Sequence, residues 1–213
     1  METLTKRPKL ATEMRQAGLV DAALAMAAER SPADITTADL AHAVGITQGA
    51  VFRHFASKEA IWLAVLDWTT SMLMTRLQAA ATTTMAETKA RPAPLPALQS
   101  VFMAHVDFVI EYPGVPRIIF QELQHAQDSA LKASVRTLMQ RYRLLVTGLL
   151  QDAKKQKLLA EDTDISSAAV LFMGSVQGLV MQSMLSGQVQ AMATQAQGVF
   201  AIYLRGITYK EFS

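Results

Sequence analysis

The chain has 213 residues, 51% hydrophobic and 18% charged, against roughly 25% charged in an average soluble domain. This composition sustains a sizeable core and excludes global disorder. With no cysteine, disulfides, thiol nucleophiles and thiolate zinc sites are excluded, and a formal charge of +2 is no argument for nucleic acid by itself.

The stretch from Met1 to Leu10 is polar and basic with no apolar run behind it, which argues against a signal peptide and for a cytoplasmic protein. Up to residue 60, basic and acidic residues are equal in number, so a DNA-binding reading must rest on where the charges sit. Strand signals are nearly absent, while Ala, Leu, Met, Gln and Glu recur, which predicts an all-α protein of about nine helices. The first helix is expected from Leu10 to Glu29, stopped by Ser31-Pro32. Thr36 caps a short helix reaching Val44, with Asp39 placed as in a capping box, and Gly45 ends it. Thr47 caps a third short helix reaching Phe55, and Ser57 opens a long one from Lys58 to about Met85. The run from Arg91 to Pro96 reads as a linker. Further helices are expected near Ala97–Glu111, Gly114–His125, Ser129–Leu159, Ile165–Ser186 and Ala191–Tyr209. The expected domains are a three-helix helix-turn-helix unit at 1–56 and a larger helical domain at 57–213, with 57–89 as connecting helix.

Residues 35–55 carry the most specific pattern. Two short helices joined at a glycine pack near-perpendicular only if certain positions are small or apolar. Ala41 is the small residue at the close approach, Gly45 makes the turn, and Ile46, Val51, Leu40 and Val44 form the core behind it. Thr47, Gln48, Gly49, Ala50, Arg53 and His54 are left near the start and outer face of the third helix. A helix so placed enters the major groove with its N-terminal residues toward base edges. Gln48 has the amide for bidentate contact with adenine, and Arg53 suits guanine or phosphate. Thr37 and Lys58 flank the face, and the basic tail Lys6-Arg-Pro-Lys9 adds non-specific attraction.

The run Thr-Thr-x-x-Leu-Ala-x-x-x-Gly-Ile-Thr-x-Gly-x-Val-Phe-Arg-His-Phe-x-Ser-Lys-Glu-Ala, from Thr36 to Ala60, resembles the signature of the TetR family. The resemblance covers Leu10 to about Leu66. It implies a third helix that reads the major groove and a lysine opening the fourth helix that contacts phosphate. Those roles fall on Thr37, Gln48, Gly49, Ala50, Phe52, His54 and Lys58. The family often has tyrosine in place of Phe52, so the phenolic phosphate contact is missing and an apolar contact to a thymine methyl or sugar is left.

Beyond Trp62 the resemblance implies architecture more than residues: a helical domain that holds a small-molecule effector and forms a homodimer on palindromic operator DNA. Pocket candidates are Trp68, Met72, Phe102, Met103, Phe108, Phe120, Met139, Phe172 and Met173, whose pliable apolar side chains suit varied ligands. Methionine and phenylalanine at helical spacing equally describe plain core. His105, Gln124, Arg136 and Gln177 are the polar candidates. For the dimer interface, Gly174 and Gly178 permit close helix approach beside Leu171 and Met181, with Phe200 and Leu204 on the last helix. A membrane span is disfavoured, because the apolar run is short and broken by Ser175 and Gln177. Glu122-x-x-His125 lacks the second such motif of a di-metal bundle, so no metal or other cofactor is expected. No nucleophile elbow or phosphate loop is found, so no enzyme is expected. The expected function is a ligand-released repressor; the alternative is a small-molecule binding or interaction protein whose helix-turn-helix is only structural.

Overall fold

The computed structural model describes residues 6–87 and 93–208, with side chains described from 12 to 84 and from 93 to 208. Among them are nine α-helices and no strand: α1 Lys6–Glu29, α2 Thr37–Ala43, α3 Gln48–Val51, α4 Lys58–Glu87, α5 Pro94–Glu111, α6 Gly114–Gln124, α7 Ala130–Lys155, α8 Ile165–Ser186 and α9 Ala191–Ile207. A single 3-10 turn, Pro32–Asp34, stands between α1 and α2.

Helix ends depart from expectation for identifiable reasons. Helix α1 begins at Lys6 instead of Leu10, since Pro8 falls in the first turn, where no intrahelical N–H bond is lost. By the same logic Pro94 and Pro96 open α5, so half of the expected linker is helical. Arg91 and Pro92 lie outside the described residues. Helix α3 ends at Val51, not Phe55, because the amides of Arg53 and His54 bond three residues back, to Ala50 (3.2 Å) and Val51 (2.9 Å). Helix α7 stops before Leu159: Lys157 adopts φ 58°, and the Leu158 amide reaches back to the Ala153 carbonyl at 3.0 Å. Helix α9 is described to Ile207, and Tyr209 lies outside the described residues.

The chain divides into two compact units, Met1–Thr70 with Tyr112–Arg136, and Ser71–Glu111 with Thr137–Ser213. The division differs from a boundary at 56/57, because α6 packs on α1 in the first unit. Gly114 permits that packing: a Cβ there would meet the backbone of α1, at Leu24 O and, at 2.9 Å, at Ala28 N. Leu19, Ala23 and Ala27 of α1 share this unit's core with Ile35, Leu40, Val51, Ile61 and Val65.

The second unit buries an aromatic cluster. Phe172 stands edge-on to Phe102 (5.3 Å between centroids) and to Tyr203 (5.5 Å), and Phe200 completes the group. Tyr203 donates to the Ala168 carbonyl at 3.1 Å, which satisfies its buried hydroxyl. Helix α8 is long and apolar enough to cross a membrane by length and composition. Its Phe172, Val176 and Leu179 turn inward, as expected of the core helix of a globular unit.

Candidate nucleic-acid interface

The segment from Thr36 to Phe55 is fixed by short-range bonds before any distant packing is considered. Thr36 accepts from the Asp39 amide at 3.1 Å, and Asp39 accepts from the Thr36 amide at 2.8 Å, which closes a capping box. These bonds, from the Thr36 amide first and its hydroxyl second, hold the Asp39 carboxyl below the usual carboxylate range, and Arg30 adds to them at 3.0 Å. At the other end of α2, Gly45 takes φ 67°. The Ile46 amide bonds to the Ala41 carbonyl (3.0 Å) and the Gly45 amide to that of His42 (3.1 Å), the Schellman arrangement that needs a left-handed residue. Thr47 then accepts from the Ala50 amide at 3.2 Å and starts α3.

Two side chains of α1 hold this hairpin from behind. Gln16 Nε2 donates to the His54 carbonyl at 2.9 Å, and Arg15 donates to the Val44 carbonyl at 3.5 Å. Neither residue is among those singled out from the sequence, because no local motif marks a helix-to-turn bond spanning 38 residues.

The outward face is now defined. Thr47, Gln48, Gly49 and Arg53 are exposed, Phe52 is 49% exposed, and Ala50 and His54 are half-buried. Ala41 and Val51 turn inward. Phe52, Arg53 and His54 therefore sit on a tight turn that extends a one-turn helix, not on the helix itself. Among the described residues His54 Nδ1 is buried without a partner. Two flanking residues have partners of their own in the chain. Thr37 is buried, and its hydroxyl accepts from Gln48 Nε2 at 2.9 Å. Lys58 is half-buried and donates to the Ala33 carbonyl at 3.2 Å, which leaves two of its three hydrogens for another acceptor. The side chains of Lys6, Arg7 and Lys9 lie outside the described residues.

The effector candidates fall in both units. Trp68, Phe120, Gln124 and Arg136 belong to the first unit, where Trp68 packs edge-on to Tyr112 at 4.9 Å. Gln124 is exposed at the end of α6 and Arg136 pairs with Asp128 at 2.7 Å. In the second unit Phe102, Phe108 and Phe172 are fully buried, with Arg76 stacked over Phe108 at 5.5 Å. Met72, Met103 and Met139 are half-buried, as is Met173. Gln177 is exposed and its amide lies 4.0 Å from the Met139 sulfur. His105 pairs with Tyr142 at 3.1 Å, a partner missed in the sequence because tyrosine at helical spacing carries no distinguishing mark. Burial lowers the His105 pKa to about 4 and pushes the Tyr142 hydroxyl up, so both are neutral near pH 7.

On α8 and α9 an apolar face is left uncovered by the described residues. Val170, Leu171, Met181 and Leu185 are exposed, with Ile202 on α9. Gly174 and Gly178 are exposed and a Cβ at either would meet nothing within 4 Å. Gly178, Leu179, Gly198 and Ile202 line a shallow groove between the two helices. Leu204 is half-buried, whereas Phe200 is only 2% exposed, so Phe200 belongs to the aromatic core and not to this face. Glu122 is buried, with His125 at 4.0 Å and the Ser129 hydroxyl at 3.5 Å, and among the described residues no three metal-ligating side chains converge.

Residues 19–65 match the family described as bacterial regulatory proteins, tetR family, and residues 120–199 match the tetracyclin repressor-like C-terminal domain. The chain is 26% identical over 154 residues to the nucleoid occlusion factor SlmA of Glaesserella parasuis, covering 72% of this chain and 73% of that protein. Its fold matches the ketosteroid transcriptional regulator KstR2 of Mycobacterium tuberculosis, with TM-score 0.72, 24% identity and coverage of 92% and 96% of the two chains. It also matches the transcriptional regulator FadR of Bacillus subtilis in complex with stearoyl-CoA, with TM-score 0.73, 17% identity and coverage of 90% and 98%.

Proposed function

Because the chain belongs to the TetR family of DNA-binding transcriptional regulators, we propose that it is a homodimeric, cytoplasmic, non-enzymatic repressor that leaves a palindromic operator when a small apolar ligand binds. One observation carries the DNA half of this reading: Gln48, Gly49, Phe52 and Arg53 stand exposed on a hairpin whose every turn is locked by its own hydrogen bonds. A surface held that rigidly can present an amide, a guanidinium and an apolar ring to base edges with little ordering cost on binding. Arg53 serves a guanine or a phosphate, and Phe52 a thymine methyl or sugar. Lys58 adds a phosphate contact.

The dimer half rests on the α8–α9 face. Glycine inside a helix costs roughly 0.5–1 kcal/mol relative to alanine, and Gly174 and Gly178 have no neighbour in their own chain that requires the missing side chain. A second copy pressed against the exposed Leu171 and Met181 supplies the reason, since small residues let two helices approach closely. The ligand half is supported by the Met-containing second unit and by the stearoyl-CoA complex of FadR.

Footprinting on DNA upstream of its own gene tests the whole reading. A protected palindrome is expected, with Arg53→Ala and Lys58→Ala both weakening binding, and Lys58→Ala reducing the salt slope while sparing base preference. If both variants protect every site like the unaltered protein, this face does not touch DNA. A second reading, a nucleoid occlusion factor, is favoured by the similarity to SlmA. On that reading the protected DNA is not confined to the region upstream of its own gene.

A further inference from the structure

Thr37 and Gln48 are joined across the turn between α2 and α3 by a bond of 2.9 Å from Nε2 to Oγ1. The two ends of this bond differ in surroundings: Gln48 is exposed, whereas Thr37 is 9% exposed and faces the hairpin's interior. A threonine so buried is poorly placed to touch a phosphate itself. Its hydroxyl is engaged by the glutamine instead.

We infer that Thr37 is a positioning residue that fixes the Gln48 amide so that Gln48 selects adenine. An unrestrained glutamine amide rotates freely and reads either donors or acceptors, depending on which of its ends points outward. In the orientation seen, one Nε2 hydrogen is taken by the Thr37 hydroxyl, which holds the amide in place at the edge of the face. One N–H and the Oε1 oxygen remain for DNA. Adenine offers the matching pair, an N7 acceptor and an N6 donor. Guanine offers two acceptors, so its O6 would face Oε1 with no hydrogen between them, and cytosine offers only a donor. The inference rests on the reading that this face enters the major groove, and it assigns one base to one side chain within it.

The test is selection of binding sites from a randomised duplex pool, followed by titration on the selected site and on versions with each A·T pair changed to G·C. The unaltered protein should prefer adenine at one symmetry-related position by about tenfold or more. Thr37→Ser keeps the acceptor and should keep that preference. Thr37→Val and Gln48→Ala should lose it there and at no other position. Should Thr37→Val fail to fold, Gln48→Ala and Thr37→Ser still decide the matter: Gln48→Ala with base preference intact overturns the inference. So does Thr37→Val weakening all sequences equally, because the hydroxyl would then act on the backbone or on the fold. A pool from which the unaltered protein selects nothing overturns the DNA reading itself, an outcome distinct from selection that ignores Thr37.

Discussion

Gly45 and Gly178 are the same residue serving two different ends. Gly45 sits at φ 67° in a helix-terminating turn, and the chain around it supplies the whole reason for its presence. Gly178 sits within α8, facing open space, with no feature of the chain that requires it. The contrast extends to the regions around them. From Thr36 to Phe55 nearly every residue is accounted for by a cap, a turn or a core contact, and only the outward face is left for a partner. On α8 and α9 the exposed apolar residues and glycines find no explanation among the described residues. Residues justified internally build the scaffold; residues without internal justification are the ones the proposed function assigns to partners.

Substitutions sharpen that contrast or break it. The largest effect is expected from Gly178→Phe, which should convert a dimer to a monomer in sedimentation and lower operator affinity by at least about 100-fold through lost bivalency. Its monomer should keep native helix content, since the new ring meets open space. A dimer of unchanged affinity would show that the α8–α9 face is not the interface. Next comes Gly114→Ala, whose methyl group would press on the backbone of α1; it should cost about 1–3 kcal/mol in urea unfolding. Gly45→Ala should cost about 1–2 kcal/mol, the penalty of a left-handed conformation at a residue with a side chain. Thr36→Ala, which opens the capping box, should cost about 1 kcal/mol.

The smallest effect is one of pH. The Thr36 amide and hydroxyl hold Asp39 below the usual carboxylate range. A carboxylate made more acidic by folding stabilises the fold above its unfolded pKa and loses that contribution as pH falls through the lower, folded value. Asp39→Asn should therefore be less stable than the unaltered protein at neutral pH, with the gap closing below about pH 4. A gap that persists in acid would assign the loss to geometry alone.

The helix-turn-helix was legible in the sequence because its determinants are local. Thr36 with Asp39, Gly45 and Thr47 each act within a few residues, and each acts as the spacing predicts. The all-α class was legible for the same reason, from composition and the placing of breakers. What escaped was non-local. Gln16 meets His54 across 38 residues, and His105 meets Tyr142 across 37, through packing that no motif records. Phe200 has the spacing of an interface residue, yet it is buried among Phe102, Phe172 and Tyr203. Periodicity shows that a residue lies on an apolar face without showing which of two apolar surfaces that face meets. The prolines of α5 misled in another way: Pro94 and Pro96 break a helix in its middle and are harmless in its first turn.

The absence of cysteine permits a direct test of where the outward face goes. Gly49 is exposed with no neighbour within 4 Å, so Gly49→Cys can carry a DNA-cleaving chelate without disturbing the hairpin. On the selected duplex two clusters of major-groove cleavage are predicted, centred about 10 base pairs apart, and none from the same chelate on Leu144→Cys, an exposed position of the second unit. Equal cleavage from both positions, or none from Gly49→Cys on DNA that the protein binds, would contradict the account.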